Sequence, residues 1–161
     1  MTNPYRDKAQ PAEEARWAKV AGLLGAPSTL RKVPRSPLEA HEMLLNGLPS
    51  GALLHLVRKL VLLRWDDSFA TAIGMSHRTY QRHVAASARQ LSPEQSGRTW
   101  KLAEILAKAT AIFGTKAEAE QWLERPAIGL NQRKPVDLLA TPAGTGLVED
   151  FLVRLEHGVY E

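Results

Sequence analysis

No cysteine occurs among the 161 residues, so disulfides, thiolate nucleophiles and cysteine zinc sites are excluded by inventory alone. That composition fits a reducing cytoplasm, the expected location. The five histidines, His41, His55, His77, His83 and His157, form no i, i+4 pair and no H-E-x-x-H, which leaves a helical zinc site without support. A phosphate-cradling loop is missing too, because Gly144-Thr145-Gly146 is not followed by Gly-Lys-Ser/Thr. Neighbouring carboxylates, Asp66-Asp67 and Glu149-Asp150, diverge on a helix and make poor acid/base pairs. No serine or threonine comes with a recognisable base and oxyanion setting. The expectation is a protein that is not an enzyme and holds no metal or cofactor. Nor does any apolar run reach the roughly 18 residues of a spanning helix. The first residues, MTNPYRDKAQPAEEARW, lack the apolar core of a signal peptide, so neither membrane insertion nor secretion is expected.

What is present is a chain of ordinary globular composition, 44% hydrophobic, long enough for one domain or two small ones. Its net charge of +4 is unevenly spread. Residues 50–90 carry six Lys or Arg against two Asp, whereas residues 91–161 carry eight against ten Asp or Glu. A basic middle suggests a surface facing a polyanion, and the weakly acidic end a different task.

Apolar residues recur with helical period almost throughout, which predicts an all-α fold; only Val61–Leu63 is ambiguous. A first helix is expected over Ala12–Leu24, with Trp17, Val20, Leu23 and Leu24 on one side and Gly25-Ala26-Pro27 as its stop. Ser36-Pro37 with Glu39 reads as a capping box, and Asn46-Gly47 as the end of that helix. A third helix follows from about Pro49 to Leu60, and a fourth begins at Asp66 or Asp67. Ser92-Pro93 with Gln95 opens a long helix whose stripe is Leu102, Ile105, Leu106, Ala109, Ile112 and Phe113. Thr115 with Glu118 opens the next, closed by Arg125-Pro126. Thr141-Pro142 starts the last, with Leu147, Val148, Phe151, Leu152 and Leu155 as its apolar face.

Residues 66–87 have the outline of a helix-turn-helix. Gly74 supplies the tight backbone position, Met75 a buried turn residue and Ser76 the cap of the second helix. Tyr80 and Val84 are expected to face inward. The candidate DNA-contacting set is Ser76, His77, Arg78, Thr79, Gln81 and Arg82, donors at the start and along the outer face of a helix that would enter the major groove. The plainer alternative is a solvated amphipathic face, commonplace for surface arginine.

The segment Arg125–Glu161 is the most punctuated part of the chain. Pro126, Gly129, Pro135, Pro142, Gly144, Gly146 and Gly158 interrupt two short apolar segments. Read plainly, Pro135 and Pro142 are helix starts, Gly129 and Gly158 are helix stops, Leu138, Leu152 and Leu155 are core, and Arg133, Glu149, Asp150 and Arg154 are solvent charges or an intrahelical pair. Tyr160 suits either an interface anchor or a ring folded onto its own helix.

That segment closely resembles the C-terminal toxin-binding domain of the Xre/MbcA/ParS antitoxin family, whose pattern runs P-x-[DE]-L-L, T-x-x-G, V-E-D-x-L-x-R-x-E-x-G-V. The matching residues are Pro135, Asp137, Leu138, Leu139, Thr141, Gly144, Val148, Glu149, Asp150, Leu152, Arg154, Glu156, Gly158 and Val159; His157 departs, standing where an aromatic is common. The resemblance extends to G-x-S-x-R-T-x-x-R at Gly74, Ser76, Arg78, Thr79 and Arg82, and so covers about residues 36–161.

The resemblance implies an Xre-like helix-turn-helix bundle followed by a small helical toxin-binding domain; with the boundary set at the charge shift in the turn Ala88–Leu91, these are expected over 36–90 and 91–161, after an N-terminal extension with one helix over 1–35. It implies the antitoxin of a type II toxin–antitoxin pair that neutralises a RES-domain, NAD-consuming toxin by covering its active site. The antitoxin itself would bind no NAD. Operator DNA and a second copy of the chain are the other implied partners, although in this family the helix-turn-helix can serve mainly to dimerise. The candidate toxin-binding residues are Asn131, Arg133, Lys134, Glu149, Arg154, Gly158, Val159, Tyr160 and Glu161. The competing reading is a stand-alone helix-turn-helix regulator whose C-terminal part dimerises or binds another partner.

Overall fold

A computed structural model describes the backbone of residues 6–86 and 88–158, and side chains from residue 11 onward. The described residues form nine α-helices, and the expected Val159, Tyr160 and Glu161 contacts lie outside them. The helices are α1 (Arg6–Leu23), α2 (Pro37–Asn46), α3 (Ser50–Lys59), α4 (Asp67–Ile73), α5 (His77–Ala85), α6 (Pro93–Phe113), α7 (Lys116–Glu124), α8 (Pro135–Leu138) and α9 (Pro142–Glu156). A single 3-10 turn, Ile128–Leu130, precedes α8. The fold is all-α, and the ambiguous Val61–Leu63 run is loop.

Six helices begin where a short oxygen-bearing side chain accepts a hydrogen bond from the backbone N–H three residues on. These caps are Ser36, Asp66, Ser76, Ser92, Thr115 and Thr141. Each satisfies one of the four N–H groups a helix start leaves unpaired. Ser92 and Gln95 form the full reciprocal box. Glu39 behaves differently from expectation: its Oε2 accepts from the backbone N–H of Arg35, 2.9 Å, and faces Lys32 Nζ at 3.6 Å. The first helix begins at Arg6, passes through Pro11 and ends before Gly25, whose φ of +90° breaks it.

α6 is the central element, packing against α1, α2, α4, α7 and α9. Trp17 of α1 meets Trp100 of α6 with ring centroids 5.5 Å apart. The apolar stripe foreseen on α6 is core from Leu102 to Ala109, while Ile112 and Phe113 are half-buried. α4 lies between α6 and α8, so the first helix of the helix-turn-helix is covered by the motif Pro135–Leu139. One buried carboxyl organises a loop: Glu120 of α7 is fully buried, and its Oε1 accepts from the N–H groups of Val61, Leu62 and Leu63 at 2.8, 3.3 and 3.3 Å.

Candidate nucleic-acid and protein interfaces

The helix-turn-helix is built from local chemistry. Asp66 Oδ1 accepts from Phe69 N–H at 2.8 Å and starts α4. α4 stops at Gly74, φ +72°, whose N–H donates to the carbonyls of Ala70 and Thr71 at 2.9 and 3.2 Å. Met75 follows, 4% exposed, and Ser76 caps α5 by accepting from Thr79 N–H at 3.1 Å. Every step of that turn was legible in residues 66–79.

On α5, Ser76, His77, Arg78, Gln81 and Arg82 are exposed and Thr79 is half-buried. The Ser76 hydroxyl also donates to Thr79 Oγ1 at 2.9 Å, so both hydroxyls are engaged within the helix start. The inward face differs from expectation. Tyr80 is half-buried and stacks on Trp65, centroids 3.8 Å apart and planes 9° from parallel. Its inward companion is His83, 6% exposed, whereas Val84 is 43% exposed. His83 Nδ1 hydrogen-bonds Ser50 Oγ at the start of α3, and that hydroxyl donates to the Arg89 carbonyl at 2.8 Å. Because the hydroxyl hydrogen points to Arg89, the ring supplies the Nδ1–H. A polar wall demands a polar partner there, which valine could not supply. Burial, helped by the nearby Arg89 charge, holds the His83 pKa below its ordinary value.

The second surface is the C-terminal end. Ala127 and Arg133 pair across a tight loop, Ala127 N–H donating to the Arg133 carbonyl at 3.0 Å. Asn131 and Gln132 both take left-handed conformations, φ +56° and +60°, and stand exposed with Arg133. Gly129, expected as a helix stop, sits inside the 3-10 turn without positive φ. Its function is close approach: a Cβ there would overlap the Phe151 ring. Gly144 is required likewise, since a Cβ would overlap the Leu138 carbonyl. Thr141 Oγ1 accepts from Gly144 N–H at 3.0 Å, so the T-x-x-G motif is a helix cap and a close contact. Gly158, φ +74°, does follow the end of α9 as foreseen, its N–H donating to the Leu155 carbonyl at 3.1 Å.

Three of the charged candidates, Lys134, Glu149 and Arg154, are half-buried and placed against their own domain. Lys134 Nζ faces Glu124 at 3.6 Å, and Arg154 lies over the Phe151 ring at 5.7 Å. Glu149 accepts from Lys101 Nζ of α6 at 2.8 Å. Burial opposes the Lys101 charge, but the Glu149 hydrogen bond and the Glu104 and Glu149 charges outweigh it and raise the pKa. Leu147 is corrected from core to surface at 54% exposed, because the buried arc of α9 is centred on Gly144, Val148 and Leu152. Val153 is 39% exposed. Ile128, which periodicity could not flag inside a three-residue turn, is 79% exposed. Phe151 is held between Gly129 and Trp122, whose ring stacks on it with centroids 5.9 Å apart; Ile128 adjoins Gly129 in the chain and Leu147 sits a helical turn before Phe151 on α9. Exposed apolar side chains that gather into one patch are the mark of an interaction site.

A complete helix-turn-helix joined to a compact helical unit with such a face defines a regulator-like protein with an attached interaction domain. Residues 39–104 match the antitoxin Xre-like helix-turn-helix domain, and residues 108–158 the antitoxin Xre/MbcA/ParS C-terminal toxin-binding domain. The chain belongs to the Xre/MbcA/ParS antitoxin family. The two matched regions meet within α6. An antitoxin Xre of Yersinia enterocolitica is 36% identical over 90 residues, 55% of this chain and 60% of that protein. One of Pseudomonas putida is 26% identical over 141 residues, 88% of this chain and 82% of that protein. A third, from Photorhabdus laumondii, is 30% identical over 87 residues and is covered to 58% of its length.

Proposed function

We propose that this chain is the antitoxin of a type II pair, binding and neutralising a RES-domain, NAD-consuming toxin by covering its active site, and repressing its own operon as a homodimer in the cytoplasm. The observation that carries the reading is the face around Phe151, which lies in the region matching a toxin-binding domain and has Ile128, beside Gly129, and Leu147, one helical turn before Phe151, exposed to solvent. The left-handed pair Asn131-Gln132, the Gly129–Phe151 contact and the Thr141 cap hold this face in shape before any partner arrives. A pre-shaped surface loses less ordering entropy on binding. Arg133, Lys134 and Arg154 give the rim cationic groups for acidic residues of a toxin.

The DNA reading is supported by α5, where Arg78, Gln81 and Arg82 are exposed while Tyr80 and His83 fix the inner face. The competing stand-alone regulator shares this half and lacks a toxin partner. Co-expression with the product of the neighbouring reading frame separates them. The antitoxin reading predicts co-purification and rescue of growth; a chain that shifts its promoter DNA but neither co-purifies nor rescues is a regulator.

A further inference from the structure

α5 is held along its inner face by Tyr80 on Trp65 and by the His83–Ser50 hydrogen bond to α3, and at its start by the turn that launches it, which helps to set its direction. That turn is gripped by Arg98 of α6, a residue 48 positions from the C-terminal toxin-binding motif's Gly146 and outside the helix-turn-helix itself. Arg98 Nη1 donates to the Thr71 carbonyl at 3.0 Å, in the last turn of α4, where that oxygen also accepts the longer branch of the Gly74 N–H bond at 3.2 Å. Nη2 pairs with Glu94 Oε1 at 3.0 Å, one turn earlier on α6. The same side chain lies along Gly74: a Cβ there would be 3.1, 3.2 and 3.4 Å from Arg98 Nη1, Cζ and Cδ. On its other side Arg98 shares a crevice with Leu139 at the end of α8 and Thr145 of α9. It therefore stands where the turn, α6 and the α8–α9 corner meet.

We propose that Arg98 is a positioning residue for the recognition helix, fixing through Thr71 and Gly74 the angle at which α5 leaves the core. The proposal rests on the DNA-binding reading above and predicts no contact between Arg98 and DNA. A planar fork suits the task, because one arm reaches the carbonyl while the other is held by Glu94. A lysine offers one compact charge without the fork's fixed spacing of donors and holds the two acceptors less well.

The test uses the full chain, with Arg98→Met, Arg98→Lys and Glu94→Gln, and two readouts: affinity for the duplex upstream of its own gene across salt concentrations, and backbone amide exchange over Gly74–Thr79. Arg98→Met is expected to lower affinity about tenfold at fixed salt, with an unchanged salt slope and faster exchange at the turn. Arg98→Lys recovers part of both, and Glu94→Gln, which leaves the core intact, shifts both in the same direction by less. Unchanged affinity and exchange overturn the proposal. So does a salt slope shallower by about one, which would make Arg98 a phosphate contact instead. If the unaltered chain fails to bind the duplex, the DNA reading falls, while amide exchange still decides whether Arg98 holds the turn.

Discussion

Gly129 lies directly against the ring of Phe151, with no room for a Cβ between them. This contact joins the 3-10 turn that carries Ile128 to α9, which carries Leu147 one helical turn before Phe151. Gly129→Ala forces the ring or the turn to move and is expected to cost about 1–3 kcal/mol, the usual range for overpacking. Gly146→Ala is the matched control. Its Cβ meets nothing, so the change is neutral or stabilises by up to about 1 kcal/mol through helix propensity. Denaturant titrations of both variants check the pair, and equal stabilities would remove the close-packing argument.

Much of the fold was legible because its signals are local. Ser36, Ser76, Ser92 and Thr115 cap helices through bonds that span three residues, and Gly74 breaks α4 by its own φ. The errors came where a tertiary contact decides. Gly129 has an ordinary φ and is needed only because Phe151 arrives from twenty-two positions away. His83 displaced Val84 from the inner face of α5 because Ser50 and the Arg89 carbonyl present polar atoms there. Leu147 belongs to the apolar pattern of α9 but falls outside the arc that α6 and α8 cover. Ile128 sits in a turn too short to show any period. The candidate toxin-binding charges were visible as residues, and their pairing with Glu124 and Lys101 was not.

His83 gives the stability a pH dependence. Its folded pKa lies below the ordinary value of 6.5, so the unfolded chain binds the proton more readily. The contribution is complete above about pH 6.5 and declines as the pH falls toward the depressed folded value. Urea midpoints are expected to drop between pH 7.5 and pH 5, and to drop less in His83→Gln. Parallel profiles in the two proteins would show that this group does not contribute.

Glu120 anchors three N–H groups of the α3–α4 loop from a fully buried position. Glu120→Ala leaves those donors without their acceptor and is expected to cost about 3 kcal/mol or more. Glu120→Gln keeps an oxygen in place and costs less. Thermal or denaturant unfolding of the two variants gives the order, and an alanine variant as stable as the glutamine one would contradict the anchoring role.

On the DNA side, Arg78→Ala together with Arg82→Ala is expected to weaken binding to promoter DNA and to flatten its salt dependence, by up to about two units of slope if both side chains reach phosphate. Equal binding in a mobility-shift assay would remove α5 from the interface.

The central claim is that the surface around Phe151 holds the toxin. Ile128→Asp with Leu147→Asp changes two exposed side chains, so α9 and its cap are expected to remain intact by circular dichroism. The direct measurement is the affinity of this variant for the neighbouring gene product, read beside growth rescue in the same strain. A loss of about 100-fold or more in affinity, with loss of rescue and an unchanged helix content, is the predicted result for two central interface anchors. Affinity and rescue equal to those of the unaltered chain would place the toxin elsewhere and contradict the assignment.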